Sequence, residues 1–137
     1  MSTFHLTIVT TSGLKFDGEA ESVKVVSTEG TVQLLAHHVN YATTLGMGPA
    51  SIGLDGGVRE AACIGGMLTM RDNVARLIAT TFEWADEIDL ERAENALQRA
   101  EAQLAKADIS PADKALATAA KQRALVRISS ANIEYKM

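Results

Sequence analysis

Several residues that would announce a particular chemistry are scarce or absent. Cys63 is the only cysteine, so the chain forms no internal disulfide and no thiolate zinc site. A lone thiol fits a reducing compartment. Aromatic residues are limited to three Phe, two Tyr and one Trp, which leaves Val, Ile, Leu, Met and Ala to build the core. Positive charge is short as well: 13 Lys and Arg stand against 17 Asp and Glu, for a net charge of −4. With no basic cluster to neutralise phosphates, nucleic acid is not an expected partner. No apolar run approaches the roughly 18 residues that span a bilayer. The opening Met1 to Leu6 lacks the basic and apolar regions of a signal peptide. Work at a membrane would therefore proceed by docking, without insertion. The sequence also has no G-x-x-x-x-G-K-[ST] loop, no G-x-S-x-G elbow and no Cys-His pair suited to nucleophilic attack, so catalysis is not expected.

What is present fits a small globular protein. The 137 residues are 47% apolar and 22% charged, enough for one domain or two very small ones. Such a core is adequate but thin, and any very small part of the chain is expected to lean on a partner for stability.

The character of the chain changes near residue 84. Before it, short segments rich in Val, Ile and Thr are punctuated by Gly, Asp and Asn. Phe4 to Val9 and Ser22 to Ser27 read as strands, the second with Val23 and Val25 alternating at period two. Arg59 to Cys63, Met67 to Arg71 and Val74 to Thr80 supply later strands. Breaks are expected at Asp17-Gly18, Glu29-Gly30, Asp55-Gly56-Gly57, Gly65-Gly66 and Asp72-Asn73. That spacing favours an antiparallel β-sandwich or barrel over residues 1–84.

Residues 85–137 read as a two-helix antiparallel hairpin, giving an α+β chain. Leu90, Ala93, Leu97, Ala100 and Leu104 follow a 3-4-3-4 spacing that places them on one stripe. Asp89 is a plausible N-cap. A second helix starts at Ser110-Pro111-Ala112-Asp113, with Ser as cap and Pro at the first helical position, and runs to about Asn132. Leu116, Ala119, Arg123, Val126 and Ser130 form its expected stripe. Both helices are rich in alanine and bury little area at ~25 cal/mol per Å², so the hairpin is a candidate moving element.

The ordered set of segments resembles the epsilon subunit of bacterial F-type ATP synthases, equivalent to the mitochondrial delta subunit. Thr3 to Thr10, Phe16 to Val23, Thr28-Glu29-Gly30, Gly65 to Leu68 and Asp86 to Ala93 match that family in order and spacing. One stretch departs from it. Where the family usually reads Leu-Pro-Gly-His-Ala-Pro, this chain has Leu35-Ala36-His37-His38-Val39-Asn40, followed by an unusual Gly46-Met47-Gly48. The resemblance implies a non-catalytic subunit of the central stalk, peripheral on the cytoplasmic face of the bacterial membrane. Its sandwich would hold the gamma subunit and the ring of c subunits. Its hairpin would either fold on the sandwich or extend into the alpha/beta catalytic head and inhibit ATP hydrolysis. The loop from Leu35 to Gly48 resembles the end facing the rotor ring, with Glu29 and His38 as interface candidates.

The same resemblance marks Ile88-Asp89-Leu90-Glu91-Arg92-Ala93 as the I-D-x-x-R-A motif of epsilon subunits that bind ATP. The implied site comprises Glu83, Ile88, Asp89, Arg92, Ala93 and Arg99, completed by Arg123 and Arg127 on the second helix. Arginines four apart share a helix face and suit a triphosphate. ATP would be a regulatory ligand, with no cofactor required. The competing reading makes Asp89 a helix cap and leaves the arginines solvated or paired with Glu94 and Glu101. A free-standing ATP-sensing module without an ATPase partner is the alternative for the whole chain. His37-His38 lacks acidic or imidazole neighbours for a metal and is assigned a loop or surface role. Cys63 reads as a small buried hydrophobe.

Overall fold

The computed structural model describes residues 2–135; Met1, Lys136 and Met137, which the expected domains 1–84 and 85–137 include, lie outside the described residues. Seven strands come first: β1 (Phe4–Thr10), β2 (Gly13–Ala20), β3 (Ser22–Ser27), β4 (Gly30–Leu35), β5 (Tyr41–Leu54), β6 (Gly57–Arg71) and β7 (Val74–Trp84). A 3-10 turn at Ala85–Glu87 leads to α1 (Leu90–Leu104), and α2 (Pro111–Tyr135) follows. The strands form one sheet in the order β2-β1-β7-β6-β5-β3-β4, antiparallel except where β1 runs parallel to β7.

The alternation of the first strand explains how the sheet encloses a core. Phe4, Leu6 and Ile8 are fully buried while His5, Thr7 and Val9 face outward. Ala75, Leu77 and Ala79 of β7 and Leu68 and Met70 of β6 point the same way. They share one cluster with Val23, Val25, Leu34 and Ile52 from the other side of the sandwich. The two longest strands, β5 and β6, contribute to both sides, so they must bend.

Glycine marks the bend. The expected breaks at Gly65-Gly66 and within the 35–48 loop are here parts of long strands: β6 runs unbroken through Gly65 and Gly66, and β5 begins at Tyr41. Gly66 has φ 117°, and a Cβ on it would stand 2.0 Å from the Ile78 carbonyl oxygen. Across from it, β5 carries a bulge against β3, where Lys24 pairs with Ser51 but Ser27 with Leu45. There a Cβ on Gly48 would meet Val26 at 2.4 Å. These glycines permit close backbone approach where a turn was expected. The break expected at Asp17-Gly18 is also inside a strand, since Gly18 pairs with Leu6 in β2. The turn lies at Thr11-Ser12, closed by a hydrogen bond from Ser12 N–H to Thr10 Oγ1.

The helices are capped as their sequences dictate. Asp89 accepts a hydrogen bond from the Arg92 backbone N–H at 3.1 Å, and Ser110 Oγ accepts one from Asp113 N–H at 3.1 Å. Along α1, Ala93 and Ala100 are buried and Leu90, Leu97 and Leu104 half-buried. The stripe expected on α2 is rotated. Leu116 is 69% exposed and Arg123 is exposed, whereas Ala117, Ala124 and Ala131 are buried. Alanines seven apart on both helices let the backbones approach closely, so small residues rather than Leu116 take the inner positions. Ala131 packs against Ala62 of the sandwich. The hairpin therefore leans on the sandwich.

At the sheet edge, His5 pins β2 to β1. Its ring nitrogens lie 2.6 Å from Asp17 Oδ1 and 3.2 Å from Glu19 Oε2. Hydrogen bonds to Asp17 first and Glu19 second raise its pKa above the ordinary 6.5. A raised His pKa gives stability that is complete below 6.5 and is lost as pH climbs through the folded-state value. An NMR titration should place His5 above 6.5, and Asp17→Asn should lower it; a His5 that titrates identically in both proteins would contradict this clamp. A second expectation concerns Gly66. Gly66→Ala should cost about 3 kcal/mol and lower the thermal midpoint by roughly 10 °C. Gly56→Ala, where an added Cβ meets nothing within 4 Å, should cost about 1 kcal/mol.

Candidate nucleotide cleft at the hairpin root

The chain between sandwich and hairpin is fixed by charge and stacking. Arg59 of β6 lies over the Trp84 ring, 3.9 Å from its centroid, and its guanidinium sits 3.5 Å from Asp86 and 3.9 Å from Glu87. This holds the 3-10 turn against the end of β6 and sets where α1 begins. Ile88 then turns inward, buried against Ala62 and Ala131.

The second helix reaches the sandwich because it is longer than the first. With 25 residues against 15, α2 runs past the start of α1, and it contacts β5, β6 and the 3-10 turn. Ala62 and Glu83 are cross-strand partners on β6 and β7. Arg127 and Ala131, one turn apart on α2, meet this pair. Arg127 Nε donates to Glu83 Oε1 at 2.6 Å, with side chains 33% and 27% exposed. Ala131 covers Ala62. Among the described residues, the seam thus consists of one charged hydrogen bond and a few small apolar contacts, flanked by half-buried Leu90 and Val126.

A cleft of about 160 Å³ opens beside this seam, lined by Glu83, Glu87, Ile88, Asp89, Arg92, Ala93 and Arg127. A second hollow of about 310 Å³ lies along α1, lined by Asp89, Glu91, Arg92, Asn95 and Arg99. Asp89 and Arg92 line both. Of the residues expected from sequence, six are brought together in the first hollow and Arg99 lies in the second. Arg123 lines neither and is exposed on α2. Arg92, Arg99 and Arg123 are exposed, as the competing reading has them, and none pairs with Glu94 or Glu101 among the described residues; Arg127 pairs with Glu83 instead. Asp89 does cap α1, using one carboxylate oxygen on the Arg92 N–H.

Three lining residues escaped the sequence reading. Glu87 was hidden in the connector. Glu91 follows the cap, and Asn95 stands at i+3 from Arg92 and four before Arg99, a helical spacing that would have revealed it. Alone, the first hollow is below the ~300 Å³ typical of ligand pockets, while the two together are of that size. Three carboxylates face two guanidiniums in the first hollow. An anion entering it would have to take Arg127 from Glu83.

Glu29 and His38 are not brought together. Glu29 sits in the β3–β4 turn with its N–H donating to Ser27 Oγ at 3.1 Å. His38 sits in the β4–β5 turn, where its ring stacks edge-on to Tyr41 with centroids 5.7 Å apart and Nδ1 lies 2.8 Å from the Val39 carbonyl oxygen. They occupy opposite ends of β4, a strand roughly 20 Å long. His37 has φ 65° in the same turn, its N–H donating to Asn73 Oδ1 at 2.7 Å. Burial in the core pushes the Cys63 thiol up to about 12, so it is an inert packing residue.

Known proteins share both parts of this architecture. The model of the ATP synthase delta/epsilon chain β-sandwich domain matches residues 3–85, and that of its long α-helix domain matches residues 86–132. An ATP synthase epsilon chain of Ruminococcus albus is 36% identical over 133 residues, covering 96% of this chain and 98% of the relative. One of Alkaliphilus oremlandii is 42% identical over 103 residues, covering 75% of this chain and 77% of the relative. Among solved structures, a chain of the Euglena gracilis mitochondrial ATP synthase superposes with a TM-score of 0.77 at 21% identity, over 89% of this chain and 77% of that one, which shows a common fold. The chain belongs to the delta/epsilon family of ATP synthase subunits and, within it, to the epsilon chains, which are non-catalytic.

Proposed function

We propose that this chain is a central-stalk subunit that couples ion-driven rotation to ATP synthesis and restrains ATP hydrolysis through its helical hairpin. The sandwich is the fixed part: it clasps the gamma subunit and rests on the ring of c subunits. The hairpin is the movable part, released from the sandwich toward the alpha/beta head to inhibit hydrolysis. The complex places the protein peripherally on the cytoplasmic face of the membrane. No helix among the described residues is long and apolar enough to cross a bilayer, so attachment runs through the other subunits.

ATP acts on this arm as a sensed ligand. The observation that supports this reading is the convergence of Asp89 and Arg92 from α1, Arg127 from α2 and Glu83 from the sandwich in one cleft at the hairpin root. A ligand gripping Arg92 and Arg127 at once ties the two helices together beside the sandwich. Taking Arg127 from Glu83 gives up the hydrogen bond between them, and the ligand favours the docked state to the extent that its differential affinity for that state exceeds this loss. Arg99, in the adjoining hollow, extends the positive surface along α1. Binding does not lead to hydrolysis, because the chain has no P-loop to hold a nucleotide for chemistry.

Calorimetric titration of the full chain tests this directly. ATP should bind saturably and more tightly than ADP, and Arg92→Ala should weaken binding at least tenfold. No heat at millimolar ATP would remove the sensing role, leaving Arg92, Arg99 and Arg123 as surface residues of the hairpin and Arg127 as the partner of Glu83.

A further inference from the structure

Ser130 is the one described residue whose buried side-chain polar atom lacks a hydrogen-bond partner. It is 0% exposed. A serine within a helix ordinarily bonds the carbonyl one turn back, as Thr118 does on the same helix, where Oγ1 donates to the Lys114 carbonyl oxygen at 2.8 Å. Ser130 makes no such bond. It lies beside Ala131, which packs on Ala62, in the helix that contacts β5, β6 and the 3-10 turn.

The placement carries a thermodynamic consequence. A hydroxyl hidden from water without a partner costs about a tenfold factor in the equilibrium that hides it. When the hairpin leaves the sandwich, Ser130 regains water and that cost disappears. The Arg127–Glu83 hydrogen bond works in the opposite sense and is lost on release. Both act on the same stretch of α2, three residues apart. Among the described residues, small apolar contacts flank both.

We infer that Ser130 is a built-in weakness of the docking seam, set against the Glu83–Arg127 latch so that the hairpin stays close to release. The inference rests on the reading of the hairpin as a movable arm, but it does not depend on ATP binding. An alanine at position 130 would keep the packing volume and remove the cost. The docked arm would then be harder to release, and a subunit carrying it should inhibit hydrolysis less.

A buried position under the arm reports the equilibrium. Ala62 is 1% exposed beneath Ala131, so Ala62→Cys in the full chain labels with a thiol reagent only when the hairpin lifts. The native Cys63 is buried and its thiol is pushed up to about 12, so it contributes little background. In this background and without nucleotide, Ser130→Ala should slow labelling about tenfold. Ser129→Ala, at an exposed site on the same helix, controls for helix propensity and should slow it by about twofold at most. Glu83→Gln, which weakens the latch, should speed labelling severalfold. Equal rates for Ser130→Ala and Ser129→Ala, or faster labelling in Ser130→Ala, would overturn the role of the hydroxyl. Unchanged labelling in Glu83→Gln would overturn the latch. Because nucleotide is absent throughout, these outcomes are decided separately from the calorimetric test of ATP binding.

Discussion

The contact between α2 and the sandwich is small, and much else in the molecule depends on it. Arg127 reaches Glu83 and Ala131 rests on Ala62, one helical turn meeting one cross-strand pair. Those contacts locate the last turns of α2 and keep Ile88 buried. They also bring Arg127 alongside Asp89 and Arg92. Without them the hairpin has its alanine stripes and the half-buried leucines of α1 to hold its helices together, and the cleft loses one wall. The sandwich has a single extended core, whereas the described part of the α2 seam is one charged hydrogen bond and a few small apolar contacts. That difference in cohesion is the physical basis for assigning fixed and movable roles.

The architecture was legible in the sequence because period and capping both spoke clearly. Val23 and Val25 alternate as a strand requires, and Asp89 and Ser110 cap the helices they precede. Glycine misled. Asp17-Gly18 and Gly65-Gly66 carry the composition of turns, yet Gly18 sits in β2 and Gly66 lies where the Ile78 carbonyl leaves no room for a Cβ. A local signal cannot distinguish a turn from close approach by a strand distant in sequence. The parallel pairing of β1 with β7 was hidden for the same reason, since nothing in either segment names its neighbour. On α2, leucine suggested the inner stripe, but a close crossing of two helices favours alanine, and Leu116 was left outside.

The site was legible only in part. The motif from Ile88 to Ala93 is contiguous and lands in one place, and Arg127 joins it because α2 is long enough to return to the sandwich. Arg123 carries the same charge at the right spacing, but its partner residue on the helix face is Arg127, and only one of the two turns toward the cleft. The ion pair between Glu83 and Arg127 spans 44 residues and could not be read from spacing. Nor could the unpartnered hydroxyl of Ser130, which is a property of packing alone.

The central claim is that the sandwich stays fixed while the hairpin changes position. A pair of spin labels at Asp55→Cys on the sandwich and Lys114→Cys at the tip of the hairpin, both exposed sites, would measure it in the assembled enzyme by pulsed dipolar spectroscopy. Two distance populations are predicted, with ATP shifting weight to the one that matches the docked hairpin. A single distance, unchanged by ATP, would contradict the account.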